Sequence, residues 1–72
     1  MTVDEKISLN IKRCLKTKFG SLKIAAEKLE MNKRYLENTL YKIKNGSYPS
    51  MKKIKKFAEV CDCQITDFFS ID

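Results

Sequence analysis

Apolar side chains in this chain recur at steps of three and four and almost nowhere at steps of two. That spacing is the period of one face of a helix, whereas a half-buried strand alternates. Ile7, Ile11, Cys14 and Leu15 form a first stripe, continued by Lys18 or Phe19. Ala25, Ala26 and Leu29 form a second, and Leu36, Leu40 and Ile43 a third. Met51, Ile54, Phe57, Ala58 and Cys61 form a fourth.

Start and stop residues fall between the stripes. Thr2 with Glu5 three residues later is a capping box, and it predicts a first helix over 3–18. Phe19-Gly20 stops it, with Gly20 as the left-handed cap. Ser21 opens a two-turn helix over 22–29, and Asn32 opens a third at Lys33. Asn45-Gly46 ends that helix. Ser50 caps a fourth, and Thr66 a last short one holding Phe68 and Phe69. The expectation is an all-α chain of five helices, one domain over 1–72, without repeats, low-complexity segments or linkers. The second and third helices, joined by about three residues, have the outline of a helix-turn-helix.

Composition then narrows function. The chain has 72 residues, so its core is thin. It has no His, which removes His-based triads, metal sites and proton shuttles. Its two glycines cannot form a phosphate-cradling loop. Fifteen Lys and Arg oppose nine Asp and Glu, for a formal charge of +6, which favours a polyanionic partner. No apolar run is long enough to cross a bilayer, so no membrane partner is expected. Cys14, Cys61 and Cys63 are odd in number, and no signal peptide is legible. That predicts free thiols in a reducing, cytoplasmic setting, with one or two in the core and a bystander. No metal or other cofactor is expected, and no enzyme: neither a nucleophile–base pair nor a carboxylate pair stands out.

Candidate binding residues lie on the third helix. With Leu36, Leu40 and Ile43 inward, its outward set is Lys33, Arg34, Glu37, Asn38 and Tyr41. Arg and Lys donate to guanine edges, Asn pairs with adenine and Glu accepts from cytosine. Lys52, Lys53, Lys55 and Lys56 crowd the start of the fourth helix, where acids are normally preferred. Lys52 and Lys53, beside the preceding loop, are the better phosphate candidates. Ser21 and Ser50 could set helix-start amides against phosphates. Asn45, Ser47 and Tyr48 are loop donors at the same edge. Tyr35 and Tyr41 are expected to be partly buried. One of Phe68 and Phe69 should close the core, leaving the other to join a twin.

Residues 19–69 resemble the DNA-binding domain of the Cro and lambda-repressor family, the XRE-type helix-turn-helix. Phe19-Gly20-Ser21 with Ala25-Ala26-Glu27-Lys28-Leu29 is similar to the opening of its second helix. Met31-Asn32-Lys33-Arg34-Tyr35-Leu36 is similar to the turn and the start of its recognition helix. Asn45-Gly46 and Pro49-Ser50 resemble the next loop, and Ile54 to Ala58 with Ile65-Thr66-Asp67-Phe68-Phe69 the ending. The resemblance implies a compact five-helix lambda-repressor-like domain that binds double-stranded operator DNA as a homodimer. By position it implies base contacts from Asn32, Lys33, Arg34, Glu37 and Asn38. It places Ser21, Lys23, Asn45 and Ser47 in regions that touch phosphates. Three departures stand out. Glu30 occupies a turn position that is usually Gly, where a left-handed backbone would cost about 1 kcal/mol. Leu22 replaces a common phosphate-binding Gln. The stretch from Leu36 to Gly46 is longer than usual by about one helical turn. The leading expectation is a Cro-sized transcriptional regulator. The other is a protein-interaction module on the same scaffold, of the phage-inhibitor or antitoxin kind.

Overall fold

A computed structural model describes residues 1–70. Among them are five α-helices and no strand: α1 (Val3–Phe19), α2 (Leu22–Lys28), α3 (Lys33–Lys44), α4 (Met51–Val60) and α5 (Ile65–Phe68). The all-α, five-helix expectation therefore holds.

The starts of the first four helices follow local chemistry. The Thr2 hydroxyl accepts the Glu5 amide at 3.1 Å, and the Glu5 carboxylate accepts the Thr2 amide at 3.0 Å. These bonds, the Thr2 backbone amide foremost, hold the Glu5 carboxyl below its usual range. Ser21, Asn32 and Ser50 cap α2, α3 and α4, accepting from Ile24, Tyr35 and Lys53 respectively. Helix α5 departs from expectation. It begins after Gln64, not at Thr66, because the Asp67 carboxylate reaches back to accept the Gln64 amide at 2.9 Å. Thr66 lies inside the first turn.

The stops of α1 to α4 are left-handed. Gly20 (φ 84°) ends α1, its amide donating to the Lys16 carbonyl at 2.7 Å. After α2, the amides of Glu30 and Met31 return to the carbonyls of Glu27 and Ala26. After α3, those of Gly46 and Ser47 return to Ile43 and Lys42. After α4, those of Asp62 and Cys63 return to Glu59 and Ala58. All three are Schellman stops. Two of them place a residue with a Cβ in the left-handed region: Glu30 at φ 58° and Asp62 at φ 56°.

The core follows the stripes. Ile11, Leu15, Ala25, Leu36, Ile43 and Phe57 have no solvent exposure, and Phe68 almost none. Helix α1 packs against α3, α2 and α5, and α4 against α5. Two polar ties cross it. The Ser8 hydroxyl, buried, donates to the Leu40 carbonyl at 2.7 Å and pins α1 to α3. The Asn10 carboxamide donates to the Phe68 carbonyl at 2.9 Å and fixes the end of α5 on α1. Among the described residues, every buried side-chain polar atom has a partner.

Three burial expectations are corrected. Met51 is 56% exposed, because it is the first residue of α4 and precedes the turn that meets the core. Tyr35 and Tyr41 are exposed rather than partly buried, at 47% and 66%. They flank the stripe of Leu36, Leu40 and Ile43 instead of joining it. The two phenylalanines divide as expected: Phe68 closes the core and Phe69 stays exposed against Tyr48, ring centroids 6.5 Å apart.

A left-handed residue with a Cβ costs about 1–2 kcal/mol, and glycine removes that cost. Glu30→Gly and Asp62→Gly should each stabilise the fold by about 1 kcal/mol. In a domain of this size that raises the melting temperature by about 4–8 °C. Thermal unfolding followed by circular dichroism measures it, and an unchanged midpoint would place these residues outside the left-handed region.

Candidate nucleic-acid interface

Helix α2, the Schellman stop and α3 form a helix–turn–helix unit whose geometry is set locally. Leu29 ends α2, Glu30 reverses the chain, and Asn32 starts α3 two residues on. Leu36, Thr39, Leu40 and Ile43 then face inward. The Thr39 hydroxyl satisfies itself on the Tyr35 carbonyl one turn back, at 2.9 Å. Lys33, Arg34, Glu37, Asn38 and Tyr41 all lie exposed on the remaining face.

Asn32 has a different employment. Its side-chain oxygen accepts the Tyr35 amide at 2.7 Å. Bidentate pairing with adenine needs the oxygen and the nitrogen of a carboxamide together. Capping α3 occupies one lone pair of that oxygen and leaves the NH₂ group as a donor. Asn45 is partly committed. Its carboxamide donates to the Tyr41 carbonyl at 2.9 Å, and its own amide returns to α3. The second hydrogen of its NH₂ group is still a donor for a phosphate. Ser47 is exposed, and its amide closes the Schellman stop on Lys42. The Ser21 hydroxyl accepts the Ile24 amide at 3.2 Å, and Lys23 beside it is exposed.

The lysines that open α4 differ from one another. Lys52 is exposed, and Lys53 is half-buried. The Lys53 ammonium donates to the Tyr35 hydroxyl at 2.6 Å and lies 4.4 Å from the centre of that ring. An ammonium has three donors, so two stay available to an anion. This contact joins the start of α4 to the start of α3. Asn32, Tyr35, Ser50, Lys52 and Lys53 accordingly line one groove. Asn38 and Ser47 share a second hollow with Tyr35, Lys42 and Tyr48. Glu37 lines a third with Leu22 and Tyr41.

Charge placement at the helix starts carries information that the sequence reading took only from α4. The first turns of α2, α3 and α4 contain no acidic residue. Those of α1 and α5 do: Asp4 and Glu5, and Asp67. A helix start carries partial positive charge and usually recruits carboxylates. Three of the five leave that charge uncompensated, among them both helices of the helix–turn–helix unit.

The cysteines also gather more closely than expected. Cys61 is buried, Cys14 and Cys63 are half-buried, and all three are free thiols. The sulfurs of Cys14 and Cys63 lie 3.9 Å apart. Burial, with Cys14 beside it, pushes the Cys63 thiol up to about 11 and the Cys61 thiol higher still. None of the three is a bystander; they belong to the seam of α1 with the end of α4. Among the described residues no cluster of His, Cys, Asp or Glu is arranged to hold a metal ion. Nor is any helix long and apolar enough to cross a membrane.

Two tyrosines flank the interface in opposite electrostatic settings. Lys53 lowers Tyr35, first through its hydrogen bond and then through its charge. Tyr48 is raised to about 12, by desolvation first and then by its hydrogen bond to Asp4. Its folded-state value thus lies above the ordinary value of 10.0. The stability it contributes is complete below the ordinary value and is lost as pH rises through about 12. Tyrosinate absorbance during an alkaline titration should show Tyr35 ionising early and Tyr48 late. Tyr48→Phe should remove the late step and Lys53→Met should delay the early one. A single step near the ordinary value in all three proteins would mean that neither contact forms in solution.

Comparison of the chain with protein-family models, curated proteins and solved structures yields no match.

Proposed function

We propose that this protein is a sequence-specific DNA-binding regulator that represses transcription by occupying an operator, with α3 in the major groove. The observation that carries this reading is the exposed face of α3. Lys33, Arg34, Glu37 and Asn38 stand together there on a helix whose opposite face is locked into the core. Such a set offers donors to guanine, a carboxamide to adenine and an acceptor to cytosine. The N-terminal part of the second helix of a helix-turn-helix is the part that meets base edges. Acid-free starts at α2, α3 and α4 and the net charge of +6 suit the phosphates on either side. The arrangement proposed is that of the lambda-repressor-like domains, acting in the cytoplasm without a cofactor.

Within this reading the contacts divide by role. Arg34 takes a guanine edge, Asn38 an adenine and Glu37 a cytosine, with Lys33 beside them. Lys52 and Lys53 hold phosphates at the start of α4, with Ser21, Lys23, Asn45 and Ser47 on the flanks. Asn32 sets the first turn of α3 and adds a base contact through its NH₂ group. A homodimer forms through the end of the chain that carries Phe69, the exposed ring beside Tyr48.

Selection from random duplex DNA tests the reading. The expected winner is an inverted repeat with half-sites about one helical turn apart. On that site, Arg34→Ala should cost about 1–3 kcal/mol and relax preference at one base pair. Lys52→Ala should weaken all sequences alike and flatten the salt slope by about one phosphate's worth. Fluorescence anisotropy across a salt series separates the two. No enriched sequence, or equal effects of both substitutions on every sequence, would overturn the assignment.

A further inference from the structure

The turn between α2 and α3 and the exposed side of α4 enclose a groove of about 970 Å³ that the DNA reading uses only at one end. Met31 and Tyr35 contribute its open apolar surface, with Leu29 and Phe57 packed beneath. Leu29 and Phe57 belong to the core, and Met31 is half-buried against it. The four lysines of α4 stand along the rim, facing carboxylates only from Glu30 and Glu59. A duplex backbone meets protein through ions, amides and hydroxyls, and an apolar floor gives it nothing. Lys55 and Lys56, in the second turn of α4, likewise lie beyond the residues placed on phosphates.

From this geometry we infer that the groove is a docking site for an acidic peptide segment of a partner protein, anchored by a large apolar side chain. Both halves of that description come from the walls. Met31 and the Tyr35 ring, the lining residues with apolar surface still open, receive the anchor, and its burial there supplies the attraction. The lysine rim, at four cations to two carboxylates, selects an acidic segment and speeds its encounter. The volume suits a few side chains rather than a single ion. Binding has a consequence for the DNA face. Lys52, Lys53 and Asn32 line the groove as well, so a docked segment removes two phosphate contacts and crowds the start of α3. Peptide and DNA therefore exclude one another. The inference does not rest on the DNA reading, because the apolar floor and Lys55 and Lys56 have no part in it.

The test is a selection of random short displayed peptides on the folded chain. The winner is then made synthetically and titrated by fluorescence and by amide NMR. Acidic peptides with a large apolar residue should be enriched, with shifts centred on Met31 and Tyr35. Lys55→Glu combined with Lys56→Glu should weaken that peptide by about tenfold or more. Both positions are exposed, so the melting temperature should hold, which thermal unfolding checks. Met31→Ser should weaken the peptide too, whereas simple charge attraction would leave it unmoved. Enrichment of neutral or basic peptides, no enrichment, shifts on another face, or equal binding of polyglutamate would each overturn the inference.

Discussion

Helix α1 packs substantially against three of the other four helices, and its apolar ridge is the surface on which the domain is assembled. Ile7, Ile11 and Leu15 are one turn apart along it and lose nearly all their exposure. A chain of this length has little core to spare, so truncating any of the three would remove a large share of the total stability. The ridge alone does not fix how the helices lie on it, because apolar contact is not directional. Two hydrogen bonds from the same helix supply direction: Ser8 to the Leu40 carbonyl, and Asn10 to the Phe68 carbonyl. The first sets the rotation of α3 and therefore decides which of its residues reach solvent.

That rotation links packing to the proposed function. The inward set of α3 ends in Leu40 and Ile43, and the outward set is whatever remains on the far side. Lys53 on Tyr35 adds a second restraint at the start of the helix, from α4. A recognition surface made of side chains on a helix is only as well placed as the helix itself. Here α3 is held near its middle by Ser8 and at its first turn by Asn32 and Lys53.

What was legible in the sequence was whatever depends on neighbours along the chain. Thr2, Ser21, Asn32 and Ser50 cap the helices they were expected to cap, because a cap needs only an oxygen and an amide three residues on. Most of the inward faces of α1 to α4 were legible for the same reason; Met51 at a helix end was expected inside, and buried Ser8, Leu22 and Thr39 were not. The start of α5 was missed because Asp67, acting backward, outcompeted the Thr66 hydroxyl acting forward. The left-handed turn at Glu30 was visible only through the family resemblance, and its counterpart at Asp62 was not visible at all. Neither residue type announces that conformation, and packing around Met31 and Cys63 enforces it. The pairing of Lys53 with Tyr35, the thiol seam and the groove beside α4 each join segments distant in sequence, which no local pattern encodes. For the candidate site, exposure of Lys33, Arg34, Glu37 and Asn38 followed from the stripe opposite them. The commitment of Asn45 to its own helix did not, because a carboxamide can serve either role.

Helix α4 exposes the tension between stability and binding most directly. Four of its first six residues are lysines, and its first turn has no acid to offset them. They repel one another and oppose the partial charge of the helix start. Only Lys53 finds local relief, on the hydroxyl and ring of Tyr35. Ile54, Phe57 and Ala58 hold the helix in place despite this, by burial on its other side. The repulsion is thus a standing cost that core packing offsets and that an anion would remove. A polyanion or an acidic segment bound at α4 would relieve it only in the folded chain, because the unfolded chain spreads the same lysines apart. Binding and folding are then coupled by mass action. Under the proposed function, the charge that weakens the free domain would become part of the free energy with which it holds a partner.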